Sequence, residues 1–430
     1  MTNIVACNNW WLDREVKNVY LKPYKRSLFY EIIKYINDRQ ILILLGLRRV
    51  GKTTLMYQII QELLNRGENP KNIFYFSFDD YVEDIETVLT TYSQEIVAIP
   101  LEDVKAYVFL DEIQKQKGWQ EKLKLLYDRY PLLKFIVSGS SSISVQKSSR
   151  ESLSGRCYQF HMDILSFEEF LEIKHNLVLP NNHQELLLWK DRLHSYVFDY
   201  IKKPFPEITN EEDDEKVIRY IKDSVIEKII FKDLPLELGL KDIELLNMLI
   251  SLIIENPGFI VNIDELSNNL KRNARTISNY LYYLESAQII RCIKNFRKSK
   301  LSSSRKMKKA YPIHPALVFA FSNRFYDLIP KVVENLVSST IKTKYYWREN
   351  KDEVDFLVET KGKIVGIEVK YREHITKQDL KSVMKFISDF NSKVVIVTKD
   401  STTPLKDDSK MIEFVPLSLF ILNHRDFLKI

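Results

Sequence analysis

The sequence predicts a multidomain α/β protein: a parallel-sheet domain first, a helical middle, and a second, smaller α/β unit at the end. Three observations predict it. The chain has 430 residues, and domains run to about 100–200 residues, so two to four are expected. Over the first 165 residues short apolar runs alternate with helical patterns, as in a parallel sheet with crossover helices. After residue 330 that alternation resumes. The expected division is 1–165, 166–240, 241–312 and 313–430.

Each element has its own signal. Residues 41–47 (ILILLGL) form a continuous apolar run, which suits a strand buried on both faces, and Leu55–Asn65 follows as a helix. IFYFSFDD (73–80), Tyr107–Leu110 and Lys134–Val137 are further strands, with Trp119–Tyr130 a helix between the last two. Residues 166–240 are helical in character, and the acidic stretch ITNEEDDEK (208–216) suits a surface loop. Three helices, Leu245–Glu255, Asp264–Leu270 and Thr276–Ser286, precede a strand at Ile289–Asn295, with Asp264 and Thr276 as expected N-caps. A helix after residue 330 leads to strands Lys344–Trp347, Val354–Glu359 and Ile364–Tyr371, a helix at 377–390 and a strand at Val394–Thr398.

Hydrophobic residues make up 45% of the chain, enough for sizeable cores, which excludes a disordered chain, a collagen-like repeat or a disulfide miniprotein. The net charge of +6 is mild for this length, so nucleic-acid binding has to be judged from where the charge lies. Cys7, Cys157 and Cys292 are far apart and form neither a zinc spacing nor a disulfide framework, which points to a reducing cytoplasm. The first residues carry acids and no long apolar core, so no secretory signal is expected. No apolar run approaches the roughly 18 residues of a membrane span. His161, His194 and His314 lack paired ligand spacing and suit structural positions.

Gly46, Leu47, Arg48, Arg49, Val50, Gly51, Lys52, Thr53 and Thr54 (GLRRVGKTT) fit the phosphate-loop pattern between a strand and a helix. The glycines let backbone N–H groups close around phosphate, and the helix N-terminus adds positive partial charge. Lys52 is placed to reach the terminal phosphates, and Thr53 to offer its hydroxyl to Mg²⁺. Glycine is scarce here, 10 in all, which argues against a chance match. Asp111, at the end of YVFLDE (107–112), would support Mg²⁺, and Glu112 would polarise the attacking water. Ser138 in KFIVSGS (134–140) reads either as a γ-phosphate sensor or as part of a serine-rich turn. Arg150 and Arg156 are arginine-finger candidates, Arg156 the stronger, acting in cis or from a neighbouring subunit of a homo-oligomer; the alternative is a surface arginine. Together these residues predict an ATPase using ATP and Mg²⁺, with Mn²⁺ as a possible substitute.

GLRRVGKTT, FLDEIQ (109–114), VSGSSS (137–142), LSGRCYQFHMDILSFEEF (153–170) and Arg26 within KPYKRSLFYEII (22–33) resemble a family of archaeal and bacterial AAA+-like P-loop ATPases. The ATPase resemblance covers roughly residues 20–235. It implies a C-terminal winged helix followed by a nuclease-like domain of the PD-(D/E)xK, or restriction-endonuclease-like, type.

In the winged-helix reading, Arg275, Ser278, Asn279 and Tyr282 lie on the presenting face of the second helix, contacting DNA or, alternatively, packing as a lid. Residues 294–309 (KNFRKSKLSSSRKMKK) carry eight basic residues and no acid, so the whole charge excess sits in this segment. Lys298, Lys300, Arg305, Lys306, Lys308 and Lys309 are its candidate phosphate contacts, with DNA favoured over RNA; the other reading is a solvated loop.

Asp355 in EVDFLV (353–358) and Glu368 and Lys370 in EVK (368–370) lie on alternating stretches. Glu368 and Lys370 therefore share a strand face, and Asp355 on a paired strand can meet them. Two converging carboxylates can bind Mg²⁺ beside an ammonium, as phosphodiester hydrolysis requires. The resemblance adds Glu334, in VVENLV (332–337), as a further ligand. Such a domain either cleaves nucleic acid or is retained for binding. Two functions follow: an ATPase coupled to a nucleic-acid-handling C-terminus, or a nucleotide-gated switch acting on a protein partner.

Overall fold

The structure is a computed structural model and describes residues 2–79, 83–140, 153–180, 183–235, 239–297, 308–360, 362–400 and 411–428. The chain forms two compact units: residues 1–164 with 236–239, and 165–235 with 240–430. The four-part division expected from the sequence is finer than these two units.

The first unit is built on five strands: β1 (Ile41–Gly46), β2 (Ile73–Ser77), β3 (Ala106–Asp111), β4 (Leu133–Ser140) and β5 (Cys157–Met162). Their order is β2-β3-β4-β1-β5, and every pairing is parallel. All residues of β1, β2 and β4 are buried, as the continuous apolar runs predict. The helix Lys52–Asn65 buries Leu55, Met56, Ile59, Ile60 and Leu63 at helical spacing. β2 is an edge strand, and the N-terminal segment covers it. The Asn8 side chain donates to the Tyr75 carbonyl and accepts from its N–H, at 2.8 and 2.7 Å, while both Trp10 and Trp11 donate to the Ile73 carbonyl at 2.9 Å. Edge groups open to strand addition are thereby satisfied.

The second unit holds one eight-stranded sheet. Its strands are β6 (Phe259–Val261), β7 (Ile290–Asn295), β8 (Lys308–Pro312), β9 (Tyr345–Glu349), β10 (Asp352–Thr360), β11 (Lys363–Lys370), β12 (Val394–Thr398) and β13 (Ile412–Pro416). The order is β13-β12-β11-β10-β9-β7-β8-β6. The expected boundary at 312/313 therefore falls inside a single sheet: β7 pairs in parallel with β9, Lys294 opposite Tyr345 and Asn295 opposite Tyr346. Of residues 166–240, expected as a helical lid region, 166–235 and 240 belong to this unit.

Three helices, Ile243–Glu255, Ile263–Leu270 and Ala274–Ser286, precede the β7–β8 pair, with β6 between the first two. The N-caps of the latter two are Asn262 and Asn273, not Asp264 and Thr276. Asn262 accepts from the Glu265 N–H and Asn273 from the Arg275 N–H. Each asparagine sits before the first turn, where its side chain can reach those open N–H groups.

His314 is buried beyond the end of β8. Its Nδ1 accepts from the Ala316 N–H at 3.1 Å, and its ring meets Tyr200 edge-on at 5.3 Å. Burial pushes its pKa down to about 3. The unfolded imidazole protonates near pH 6.5, so acid favours the unfolded chain: stability is lost as pH falls from about 6.5 towards 3, at about 1.4 kcal/mol per pH unit. In His314→Gln the amide oxygen can still accept from Ala316. That variant should lose about 2 kcal/mol less than the native chain between pH 7 and 5 in denaturant titrations. Equal losses would show that His314 does not carry the acid sensitivity.

Candidate functional site: a phosphate loop and a separate carboxylate–lysine cluster

The loop from Gly46 to Thr53 joins the buried end of β1 to the helix Lys52–Asn65. Gly46 is required by close approach, because a Cβ there would run into the Met162 carbonyl of β5. Gly51 adopts φ +101° at the helix N-cap, a conformation side chains disfavour, and Arg49 is also left-handed, at φ +66°. Arg26 braces the loop from outside, donating to the carbonyls of Val50 (3.2 Å), Asp163 (2.7 Å) and Ile164 (3.1 Å). Lys52 is buried and its ammonium donates to the carbonyls of Gly46 (3.1 Å) and Leu47 (2.8 Å). Leu47, Arg48, Val50 and Thr54 complete the loop and the first helical turn.

Asp111 ends β3 directly beside this loop and is 2% exposed. Its Oδ2 accepts from the Thr53 hydroxyl at 2.7 Å and from the Tyr75 hydroxyl at 2.9 Å. Its Oδ1 accepts from the Ser138 hydroxyl and from the Glu112 N–H. Four donors thus fix one buried carboxylate, and burial without them would be costly. The Glu112 N–H also reaches the Ser138 hydroxyl at 3.2 Å. Glu112 sits at φ +54°, and its Oε2 accepts from the Gln114 amide at 2.7 Å. Thr53, Asp111, Glu112 and Ser138 therefore converge where β1, β3 and β4 end. Tyr75 is the member missed by sequence reading. Its signal was its place one alternation before Ser77 on the neighbouring strand; burial pushes its hydroxyl well above the usual tyrosine range, so it stays a donor.

Arg156 lies elsewhere. It directly precedes β5, and its carbonyl accepts from the Ile41 N–H at the start of β1. The loop follows the other end of β1, five strand residues away, or about 17 Å. Its guanidinium forms a two-pronged pair with Asp128, at 2.9 and 3.0 Å. An arginine finger acting on its own phosphate loop is excluded by this placement: in a parallel sheet the residue entering a strand is on the opposite edge from the residues leaving it. Arg150 lies outside the described residues.

The second constellation lies in the eight-stranded sheet. A register shift in the β9–β10 pairing between Val354 and Leu357 falls at Asp355, where a bulge can redirect a side chain. The Asp355 N–H donates to Glu368 Oε2 at 3.2 Å, and Asp355 Oδ2 accepts from the Val369 N–H at 2.9 Å. Lys370 donates to Glu368 Oε1 at 2.5 Å, as the shared strand face predicts. Glu334 projects from the helix Ile329–Ile341; its Oε1 accepts from the Tyr311 hydroxyl at 2.6 Å and its Oε2 from Lys331 at 2.7 Å.

Lys309 is the unexpected member. Expected as a phosphate contact in a basic segment, it lies on β8 with its side chain 3% exposed. Its ammonium is 2.5 Å from Glu353, 3.6 Å from Glu334 and 3.8 Å from Asp355, and 5.3 Å from the Tyr346 ring. Strand alternation explains the correction: Lys308 and Lys309 face opposite ways, and Lys309 faces inward with Tyr311. Lys298, Lys300, Arg305 and Lys306 lie outside the described residues, and Lys308 is half-buried at the start of β8.

Electrostatics follow this geometry. Burial, with Glu368 and Glu334 nearby, pushes the Asp355 carboxyl well above its usual range, and burial also raises Glu368. Burial would raise Glu334 too, but the Lys309 and Lys331 ammoniums outweigh it and hold its pKa below the ordinary value. Among the described residues no group of three or more His, Cys, Asp or Glu side chains is arranged to hold a metal ion. The expected Glu334–Asp355–Glu368 ligand set is corrected accordingly: each carboxylate is turned onto an N–H, a hydroxyl or an ammonium.

Residues 38–171 match the family described as an AAA domain, and the parallel five-stranded sheet fits a P-loop fold of that kind. Residues 201–327 and 330–420 match two domains of unknown function, DUF8612 and DUF4143. The chain is similar to two uncharacterized proteins of Methanocaldococcus jannaschii. One, MJ1544, is 27% identical over 94% of this chain and 97% of its own length. The other, MJ1637, is 29% identical over 88% of each. An uncharacterized protein of Haemophilus influenzae is 27% identical over 61% of this chain and 64% of its own length. Among solved structures, the ORC1 protein of Aeropyrum pernix in complex with DNA is similar over 74% of this chain and 97% of its own, at 13% identity and a TM-score of 0.33. The Pif1 helicase of Candida albicans covers 40% of this chain and 48% of its own, at 14% identity and a TM-score of 0.25. Both structural likenesses are too loose to bear on function. Among the described residues no helix is long and apolar enough to cross a membrane.

Proposed function

We propose that this chain is a Mg²⁺-dependent ATPase whose nucleotide state acts on a nucleic-acid-handling C-terminal unit. The observation that carries the ATPase reading is the 2.7 Å contact between the Thr53 hydroxyl and Asp111, beside Lys52 at the first turn of a helix. A hydroxyl and a carboxylate so placed fit Mg²⁺, which binds through few protein oxygens together with phosphate oxygens. When bound with ATP, Mg²⁺ neutralises charge developing on the β- and γ-phosphates. Lys52 exchanges the Gly46 and Leu47 carbonyls for the terminal phosphates. Backbone N–H groups of residues 46–53 hold the remaining phosphate oxygens. Glu112 orients the attacking water and draws on its proton, while Ser138 keeps Asp111 and Glu112 in register and senses the γ-phosphate.

The nucleic-acid reading is supported by the element order of residues 243–312, which suits a winged helix. It is supported also by exposed Arg275, Ser278, Asn279 and Tyr282, which line one face of the helix Ala274–Ser286. ATP turnover with and without single- and double-stranded DNA, in Mg²⁺ and in Mn²⁺, tests the whole. A rate that rises with DNA supports coupling. A tightly held nucleotide whose turnover ignores nucleic acid favours the nucleotide-gated switch.

Neutralising Lys298, Lys300, Arg305, Lys306 and Lys308 together should weaken DNA binding whatever its sequence. Each lost phosphate contact should lower the log–log salt slope by about 0.7–0.9. Lys309 is left out of this set because its ammonium is committed to carboxylates. A salt slope that does not change would show that the segment does not touch the backbone.

A further inference from the structure

We propose that Lys309 is a built-in counter-cation: its ammonium occupies, in the carboxylate cluster of the eight-stranded sheet, the position a divalent ion would take, and it keeps the cluster metal-free.

Geometry is the first support. The Lys309 ammonium faces Glu353, Glu334 and Asp355, at 2.5, 3.6 and 3.8 Å. Those residues come from a helix and from β10, while Lys309 reaches them from β8, which is separated from β10 in the sheet by β7 and β9. Its backbone is held in register between Ile260 and Ile293. The point from which the side chain projects is therefore fixed by strand pairs on both sides. A Mg²⁺ ion needs several oxygens at about 2.1 Å in an octahedron. An ammonium already in van der Waals contact with those oxygens leaves no such space.

Charge is the second support. Four carboxylates meet here: Glu334, Glu353, Asp355 and Glu368. Four cations answer them: Lys309, Lys331 on Glu334, Arg348 at 3.7 Å from Glu353, and Lys370 on Glu368. Acidic and basic groups are thus matched four to four without an ion. A resident divalent ion would make the cluster strongly positive in a site where Glu334, Glu368 and Lys309 are each 6% exposed or less, and uncompensated buried charge is costly.

The other oxygens of Asp355 and Glu368 are also engaged. The second oxygen of Asp355 accepts from the Val369 N–H, and those of Glu368 from the Asp355 N–H and Lys370. Gly258, at φ +83°, closes the site over Glu334 and Tyr311: a Cβ there would lie 3.2 Å from Glu334 Oε1 and 3.1 Å from the Tyr311 ring. The arrangement is finished without an ion. Removing Lys309 would leave Glu334, Glu353 and Asp355 without the cation they share, and a divalent ion is the replacement that such oxygens favour.

The test uses the full-length chain and Mn²⁺ alone, read by calorimetry, by the electron-spin-resonance signal of free Mn²⁺ and by thermal unfolding with and without the ion. Nucleotide is omitted, and Asp111→Asn in every protein removes the carboxylate of the phosphate-loop site. On that background, Lys309 intact should show no Mn²⁺ binding that depends on Asp355. Lys309→Met, which keeps the side-chain volume and drops the charge, should bind Mn²⁺ at least tenfold more tightly, and Mn²⁺ should raise its unfolding temperature. Adding Asp355→Asn should abolish that gain. Lys309→Gln, which also drops the charge but keeps N–H donors for the carboxylates, should show the same gain if the methionine variant folds poorly. Asp355-dependent Mn²⁺ binding with Lys309 intact would overturn the proposal. So would the absence of any gain in a folded Lys309 variant, or a gain indifferent to Asp355.

Discussion

Lys52→Ala should lose ATP binding by about 30-fold or more, since truncating one partner of a buried charge pair costs about 2–5 kcal/mol and 1.4 kcal/mol is tenfold. The size of the effect has two sources. The ammonium is the point charge offered to the terminal phosphates. It is also the donor that satisfies the Gly46 and Leu47 carbonyls, so its loss loosens the loop that must close on the ligand. Calorimetry with ATP and Mg²⁺ reads the outcome directly. Affinity equal to that of the native chain would remove the phosphate-loop assignment, and with it the proposed activity.

Glu112→Gln should separate binding from turnover. Its side chain is held by Gln114, and an amide oxygen can accept that same hydrogen bond, so loop and strand geometry should survive. An amide cannot take the proton of a water molecule, and loss of a positioned base slows turnover by about 10²–10⁴. The expected result is ATP affinity within about threefold of native and hydrolysis reduced to that extent. Hydrolysis at the native rate would shift the role to another group. Because the Glu112 N–H, rather than its carboxylate, contacts Asp111 and Ser138, a loss of binding in this variant would signal misfolding.

The phosphate loop was legible in the sequence because its chemistry is local. Two glycines, a lysine and a threonine at fixed spacing need only the adjoining strand and helix to be in place. Asp111 was legible for the same reason, at the end of an apolar run. Arg156 was misplaced because β5 carries no apolar run: Tyr158, Gln159 and His161 on it are exposed. Without that strand in view, nothing shows that Arg156 enters the sheet on the edge away from the phosphates. Lys309 was misplaced because a run of bases suggests a solvated loop, while the structure applies the alternation of a strand to its last members. The KKAYP pattern (308–312) held the signal, since Lys309 shares a face with the buried Tyr311. Glu353, which faces Lys309 at the shortest distance, was quoted in its motif but given no part. The pairing of β7 with β9 joins residues some fifty positions apart, and no local pattern encodes it.

That pairing bears on how such a chain can be assembled and inherited. The two stretches that match separate domains of unknown function end and begin between β8 and β9, as if each were a portable module. In the folded chain the first supplies Lys309 and the second the carboxylates it faces, and their strands complete one another's hydrogen bonding. Either stretch on its own would expose an unpaired strand and a buried charge without its partner. The two therefore make a single unit of exchange: a genetic rearrangement or an expression boundary that keeps both preserves the fold, and one that parts them leaves two adhesive fragments.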